Sequence, residues 1–179
     1  EAYAGYQYET SWRAGSAGIG GAGQYAGRKS KCGNITITGG KIMAAISELI
    51  RTEGNGTLSF GDYTLGAKAK LDNYEFHGDK YKVKTFKEIT KLERNGLFVY
   101  ESVPGTAVTN FTEDENTVSF TVEGPEDAQI TLELAEETEY EIDIDGKSAG
   151  TMKTNLGGKL SLSVELEGAD AVAIRVEKR

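Results

Sequence analysis

Few side chains in this sequence could carry out a reaction. His77 is the only histidine and Cys32 the only cysteine, so an internal disulfide is excluded. A catalytic triad would need a serine or cysteine nucleophile near the histidine, and the stretch Phe76-His77-Gly78-Asp79 offers none. Neither a zinc-ligand spacing of Cys and His nor an H-E-x-x-H motif is present. The sequence therefore predicts no metal site and no cofactor, and we interpret His77 as a loop residue beside a turn.

Carboxylates are plentiful, but their positions favour contact with water. A glycoside hydrolase needs two acids that face one cleft, one of them with a raised pKa. Five acids mostly alternate with apolar residues, which places them on the solvent side of an extended chain: Glu133, Glu137, Glu139, Glu141 and Asp143. We interpret the acids of 113–115 and 126–127 as turn residues. The sequence predicts that the chain is not an enzyme.

One acidic stretch resembles the beginning of a calcium loop. Asp143-Ile-Asp145-Gly146 has the first two acids of such a loop, but the later ligands and the terminal glutamate are missing. Asp-Gly is also a preferred pair for a tight hairpin turn. We interpret Asp145-Gly146 as that turn.

Aromatic side chains near the N terminus form the candidate binding surface. Residues 1–30 are rich in Gly, Ala and Tyr and have almost no aliphatic side chains, so they cannot build a core of their own. Tyr and Trp rings stack on sugar faces while nearby polar groups bond the hydroxyls. We predict a platform for a glycan or a neighbouring subunit, with homo-oligomers formed through this arm: Tyr3, Tyr6, Tyr8, Trp12 and Tyr25. Its backbone is expected to be ordered as strand.

The elements that would support such a site are mostly strands. Between Val118 and Val176 apolar residues recur at every second position, the period of a half-buried strand. Turn pairs separate the runs: Gly124-Pro125, Asp145-Gly146, Gly157-Gly158 and Glu167-Gly168. Five short strands over 117–177 predict an antiparallel sandwich or barrel, which we expect to be the stable part and to fold without residues 1–40.

The middle of the chain predicts further strands. Short β candidates are Thr57–Phe60, Tyr63–Leu65 and Tyr74–Phe76. Residues 86–103 predict a hairpin because Asn95-Gly96 suits a type I′ turn, and Pro104-Gly105 ends its second strand. A helix over 86–92 is the alternative, since the apolar residues at 86, 89 and 92 also have helical spacing.

One segment breaks the strand pattern. Its apolar residues, at 42, 43, 46, 49 and 50, would share one face of a helix, so we predict a short helix over 41–51. A further strand over 41–45 is the alternative. The resulting domain division is 1–56, a Gly/Ala/Tyr-rich segment with this helix, and 57–179, a β-rich region.

A resemblance to a known repeat appears in the N-terminal segment. Gly18-Ile-Gly-Gly-Ala-Gly23 followed by Cys32-Gly-Asn-Ile-Thr-Ile-Thr-Gly-Gly40 resembles the repeat of Gly-rich bacterial surface proteins. The resemblance implies one coil of a parallel β-solenoid, with Ile35 and Ile37 inside and Cys32 as a small inward or corner residue. Only one copy is present, whereas a solenoid core needs several, so we expect the chain to begin where a longer solenoid ends.

A second resemblance lies in the C-terminal part. Leu134-Ala-Glu-Glu-Thr138-Glu-Tyr140-Glu-Ile142 is similar to the L-x-x-x-T-x-Y-x-V signature of fibronectin type III and related Ig-like sandwiches. The resemblance implies that Tyr140 is a corner tyrosine whose hydroxyl bonds to upstream backbone, with Leu134 as a core plug. The family's proline is replaced here by Ala135 or Glu136.

Charge and chain composition exclude some partners. Residues 1–100 carry 14 Lys and Arg against 10 Asp and Glu, whereas residues 101–179 carry 6 against 18. The acidic part should repel phosphate backbones, so we expect no nucleic-acid partner. No run of 18 apolar residues is present, so we expect no membrane insertion. The first residue is Glu1 and no signal sequence precedes it, so we expect a processed chain or a piece of a longer one.

These observations predict an all-β chain: a short Gly-rich β-solenoid-like N-terminal part with one short helix, then an antiparallel β-sandwich. The predicted function is that of a non-catalytic extracellular module of a bacterial surface or secreted protein, which binds glycan or acts as a scaffold. The alternative is a structural subunit of a filament or stalk, because a Gly/Ala/Tyr-rich arm and unpaired edges favour strand pairing between chains.

Overall fold

The computed structural model describes residues 11–14, 21–25, 28–29 and 45–179. The chain divides into two compact units, Glu1–Lys41 and Ile42–Arg179. In the first unit, three short strands form an antiparallel sheet in chain order: β1 (Ser11–Ala14), β2 (Gly21–Tyr25) and β3 (Arg28–Lys29). The predicted solenoid strand with Ile35 and Ile37 lies outside the described residues.

The described part of the second unit, residues 45–179, is all-β and contains two antiparallel sheets. One has seven strands: β4 (Ile50–Thr52), β5 (Leu58–Phe60), β10 (Ala107–Glu113), β11 (Thr117–Glu123), β13 (Glu139–Ile144), β14 (Lys147–Lys153) and β16 (Val172–Lys178). The other has six: β6 (Ala69–Phe76), β7 (Asp79–Phe86), β8 (Ile89–Arg94), β9 (Leu97–Val103), β12 (Ala128–Glu133) and β15 (Lys159–Val164). The strand orders are β14-β13-β16-β11-β10-β5-β4 and β15-β12-β9-β8-β7-β6.

Alternating apolar residues of both sheets meet in one core, which is the arrangement of a β-sandwich. Aromatic rings connect the two layers at its centre. Tyr100 of the six-stranded sheet packs edge-to-face on Phe60 at 5.3 Å and on Phe120 at 5.7 Å between ring centroids. Phe60 also contacts Phe111 at 5.8 Å. The predicted sandwich is therefore present, and it includes strands from residue 50 onward.

The turn chemistry places the hairpins where the sequence predicts them. Asn95 and Gly96 have φ of 52° and 81°, and Asp145 and Gly146 have φ of 51° and 73°. Both pairs thus have the positive φ that a type I′ turn needs. The first joins β8 to β9 and the second joins β13 to β14, so the hairpin within 86–103 and the Asp-Gly turn are confirmed. The alternative helix over 86–92 is not formed.

The predicted helix over 41–51 is wrong for the part that the structure describes. Residues 47–49 form a turn, closed by the Leu49 N–H, which donates to the Ile46 carbonyl at 2.8 Å. Leu49 has φ of 68°, which ends any helical path, and Ile50 starts β4 opposite Phe60. Ile46 and Ile50 are both buried, as they would be on the inner face of a helix. A short apolar run therefore does not distinguish a helix from a strand. Residues 41–44 lie outside the described part.

Strand β14 was not predicted, and the candidate at 63–65 is not a strand. All seven residues of β14 are exposed, so they carry no alternating apolar signal, and the strand exists because it pairs with β13. Tyr63 and Thr64 lie in a turn instead, where the buried Tyr63 hydroxyl donates to Glu123 at 3.0 Å.

Among the residues described, no helix exists that is long and apolar enough to cross a membrane.

The hydrogen bond predicted for Tyr140 is present. Its hydroxyl accepts the backbone N–H of Ala135 at 3.1 Å, and the side chain is 4 % exposed. Leu134 packs against the core, partly buried. These contacts fix the connection from β12 to β13 at the end of the sandwich.

Replacing Tyr140 by phenylalanine should lower the free energy of unfolding by about 1 kcal/mol, because the ring stays packed while the Ala135 N–H loses its acceptor. Urea denaturation followed by circular dichroism measures this. Tyr74→Phe provides the control, since its hydroxyl bonds Thr52 at the exposed surface. An unchanged denaturation midpoint for Tyr140→Phe would show that the bond contributes nothing.

Candidate binding surfaces

The predicted aromatic platform falls only partly within the described residues. Trp12 lies in β1 and Tyr25 at the end of β2. These strands are paired, so both residues belong to one small sheet. Tyr3, Tyr6 and Tyr8 lie outside the described residues, and the platform stays a prediction.

His77 and two of the turn acids are engaged in local contacts within their own turns. His77 lies in the turn between β6 and β7 with φ of 52°, and its ring packs on Phe76 at 4.1 Å between centroids. Asp114 accepts the backbone N–H groups of residues 116 and 117, and these bonds hold its pKa below the usual range. Asp127 does the same for residues 167 and 166, with its pKa lowered for the same reason. The interpretation as turn residues is confirmed for both acids. Within 45–179, no group of three His, Cys, Asp or Glu is placed to hold a metal ion.

A cleft of about 330 Å³ opens between the sheets beside the β8–β9 and β10–β11 turns. Among the described residues that line it, Arg94 is the single cation, and it donates two hydrogen bonds to the Glu113 carboxylate, at 2.8 and 3.2 Å. The remaining charged residues of the lining, among them Glu115 and Glu133, are acidic. Because its cation is engaged and its other charges repel anions, this cleft is a poor site for an acidic ligand.

The outer face of the six-stranded sheet carries a row of apolar side chains, which we call the apolar row: Phe86, Ile89 and Val103. Phe86 lies directly opposite Ile89, and the register that pairs Thr90 with Ser102 brings Ile89 beside Val103. The residues that precede Phe86 and follow Ile89 are fully buried threonines, so the apolar row points away from the core. Val103 is 52 % exposed, whereas Phe86 and Ile89 are half-buried.

A row of cations lies beside the apolar row. Lys84 is two residues from Phe86 on β7, and Lys91 is two residues from Ile89 on β8. We call the row of cations the lysine row: Lys70, Lys84 and Lys91. Lys84 is directly opposite Lys70 on one side and Lys91 on the other. Its chain neighbours, Val83 and Thr85, are fully buried, so Lys84 points outward. Glu101 of β9 is opposite Lys91 and ends the row.

The lysines of this row differ in their partners. Lys70 Nζ lies 3.2 Å from Asp72, and Lys91 Nζ lies 3.0 Å from Glu93. The hydrogen bond from Lys91 and its charge lower the pKa of Glu93. Lys84 forms no ion pair with any residue of 45–179, although it is flanked by like charges on both neighbouring strands. Like charges directly opposite each other are unfavourable, so Lys84 is the lysine of this row at which an added anion would be most favourable.

The outer face of the seven-stranded sheet has the opposite sign. Glu141 of β13 is directly opposite Glu177 of β16, with Glu139 and Asp143 on the same face. Arg175 lies opposite Asp143. The two outer faces of the sandwich are therefore chemically different, and the apolar and lysine rows occur on one of them.

Comparison of this chain with family models, with curated proteins and with solved structures found no match. Its functional interpretation therefore depends on the sequence and on these surfaces.

Proposed function

We propose that the protein is a non-catalytic glycan-binding module of a bacterial surface or secreted protein, and that it binds on the outer face of the six-stranded sheet. The observation that carries the proposal is the apolar row with a row of polar, charged side chains beside it. A sugar ring presents apolar C–H groups on its faces and hydroxyls at its rim, so it needs both kinds of contact at once. The bacterial, extracellular setting is supported by the resemblance of residues 18–40 to surface-protein repeats.

The shape of the face also suits an extended chain. Phe86, Ile89 and Val103 come from three adjacent strands, which lie about 4.8 Å apart, so the apolar row runs across the strands for about 10 Å. Thr131 and Ser161 continue the line of the lysine row beyond Glu101, with hydroxyls 3.0 Å apart. In the line of the apolar row, Gln129 is opposite Val103 and Ser163 is opposite Gln129, so a glycan lying across the strands along this row would meet apolar contacts first and polar side chains further on.

The test is a glycan screen on the full chain, followed by titration calorimetry with the oligosaccharides that bind. A double variant, Ile89→Ser with Val103→Ser, should weaken binding about tenfold because it removes apolar contact area from the row. Leu156→Ser is the matched control, since Leu156 is 77 % exposed in the turn between β14 and β15. Unchanged affinity in the double variant would place the site elsewhere, and a screen without any bound glycan would contradict the proposed function.

Strand β14 favours the second candidate function, a structural subunit assembled by strand pairing. It is an edge strand of seven exposed residues whose ladder partner is β13. Exposed edges accept strands from other chains, although lysines at both ends, Lys147 and Lys153, oppose close approach. Sedimentation velocity of the full chain separates the two candidates: a binding module stays monomeric at increasing concentration, whereas a structural subunit forms larger species.

A further inference from the structure

The lysine row carries a more specific inference, which rests on the proposed function. We infer that the ligand is an acidic polysaccharide, whose anionic groups bind between Lys84 and its neighbours Lys70 and Lys91 while its sugar rings contact the apolar row. Uronate and sulfate groups share the chemistry that this site recognises.

The positions of the acids define where an anion would bind. Asp72 and Glu93, which pair with Lys70 and Lys91, each lie two residues further along their strands, on the side away from the apolar row. The apolar row itself is uncharged, and Lys68 Nζ lies 5.8 Å from the Phe86 ring centroid on this side. Along β7 and β8 on the side of the apolar row, the first carboxylate is Glu88, in the turn beyond Phe86 and Ile89, whereas Glu101 lies opposite Lys91 at the end of the lysine row. An anionic group placed between Lys84 and the apolar row would relieve the repulsion within the lysine row.

The same observations favour a polysaccharide over the other common polyanions. A nucleic acid carries phosphates along its whole length, and here it would meet Glu101 as well as Asp72 and Glu93, which also pair with Lys82 at 3.8 and 3.5 Å, on a chain of net charge −8. An anionic membrane would need several protruding apolar side chains, whereas in the apolar row Val103 alone is more than half exposed and Phe86 and Ile89 are half-buried in the sheet surface. An acidic polysaccharide carries its charges on separate sugar units, so an anionic group can bind beside Lys84 while uncharged parts of the chain lie against the surrounding acids.

The experiment compares ligands on the full chain by fluorescence polarisation. The labelled probes are an oligogalacturonate, a sulfated dextran oligomer and a neutral dextran oligomer, with oligothymidylate and phosphatidylserine vesicles as the competing classes. The acidic oligosaccharides should bind, more weakly as salt is added, and the neutral one should bind less tightly. Whichever of the two acidic probes binds more tightly identifies the anionic group.

Lys84→Gln should weaken binding of the acidic oligosaccharides about fivefold and reduce its salt dependence. Lys153→Gln is the matched control, an exposed lysine of the other sheet that forms no ion pair within 45–179, and it should leave the affinity unchanged. An equal loss in both variants would mean unspecific attraction and overturn the inference. Preferred binding of the oligonucleotide or the vesicles would overturn it as well.

A neutral oligosaccharide that binds as tightly as the acidic ones, and is unaffected by Lys84→Gln, would overturn the inference and leave the proposed function standing. If none of the oligosaccharides binds, the inference fails; a wider screen that also finds no glycan removes the proposed function too. Thermal denaturation of both variants shows that they are folded, since removing Lys84 relieves repulsion and should not lower stability.

Discussion

A chain shortened to residues 42–179 is expected to fold and to unfold cooperatively, whereas a chain shortened to 78–179 is expected to lose its tertiary structure. The second truncation removes β4, β5 and β6. Among the side chains lost are Ile50, Leu58 and Phe60, each at most 2 % exposed. The alternation in 117–177 points to a self-sufficient C-terminal sandwich, but the core that the structure shows begins at these earlier strands.

The expected loss of stability in the 78–179 fragment follows from the buried side chains that the truncation removes. Removal of a buried phenylalanine side chain alone costs about 3–5 kcal/mol, and a whole domain is stable by about 5–15 kcal/mol. Loss of β5 also leaves β10 as a new sheet edge, since β5 pairs with it through Val108 and Phe111. Truncation to 78–179 is therefore expected to remove more stabilising free energy than the net free energy of unfolding of the domain.

Circular dichroism in the near ultraviolet and urea denaturation of both fragments provide the measurement, with the full chain as reference. A cooperative transition for 42–179 and none for 78–179 is the expected pair of results. A folded 78–179 fragment would mean that β4–β6 are dispensable and that the core cluster is not one cooperative unit.

Gly61→Ala should be among the most destabilising single substitutions, at about 3–5 kcal/mol. Gly61 has φ of 97°, a conformation unfavourable for residues with a Cβ, and an added Cβ would overlap the carbonyl oxygen of Thr106. The backbone cannot move aside easily, because the Gly61 N–H donates to Leu49 and its carbonyl accepts from Ile46, both at 2.9 Å.

Buried hydroxyl groups form hydrogen bonds around Thr106, whose carbonyl an added Cβ at Gly61 would overlap. The Thr90 hydroxyl donates to the Thr106 carbonyl at 2.7 Å and accepts the Thr106 N–H at 3.1 Å. The Thr106 hydroxyl lies 2.8 Å from those of Tyr100 and Ser102. Displacement of the Thr106 carbonyl by a methyl group would disturb bonds that have no access to water, which makes relaxation of the clash expensive.

Gly78→Ala separates the conformational cost of a positive φ from the steric cost of overlap with the Thr106 carbonyl. Gly78 has φ of 89°, but its added Cβ would meet nothing within 4 Å, so only the conformational cost of about 1–2 kcal/mol is expected. The difference between the urea denaturation free energies of the two variants measures the steric contribution at Gly61. Equal values for both would show that the Thr106 carbonyl moves without cost.

Local patterns in the sequence determined much of the second unit. Val118, Phe120 and Val122 alternate with polar residues and form a strand with one buried face, as period two requires. Asn95-Gly96 and Asp145-Gly146 determined their turns because few residue pairs accept positive φ twice. The Tyr140 bond to backbone also lies within a few residues of sequence. Such features depend on neighbours along the chain, so the sequence alone was sufficient for them.

Other features depended on partners distant in the chain. The apolar spacing from 42 to 50 fitted a helix, and only pairing of Ile50 with Phe60 decided for a strand. Strand β14 has no pattern of its own and exists through its ladder with β13. The sheet orders, in which β11 lies between β10 and the distant β16, likewise come from long-range pairing.

The candidate binding surface on the six-stranded sheet also depends partly on local sequence pattern and partly on long-range strand pairing. Its signal in the sequence is the alternation of Lys80, Lys82 and Lys84 with Tyr81, Val83 and Thr85, which fits a strand with the lysines on one face but which we did not predict to be part of a binding surface. The sequence did not determine that Lys84 would stand between Lys70 and Lys91, or that Phe86, Ile89 and Val103 would form one row beside them. Strand register decided both, because a shift of one residue in either ladder would have moved these side chains to the other face of the sheet.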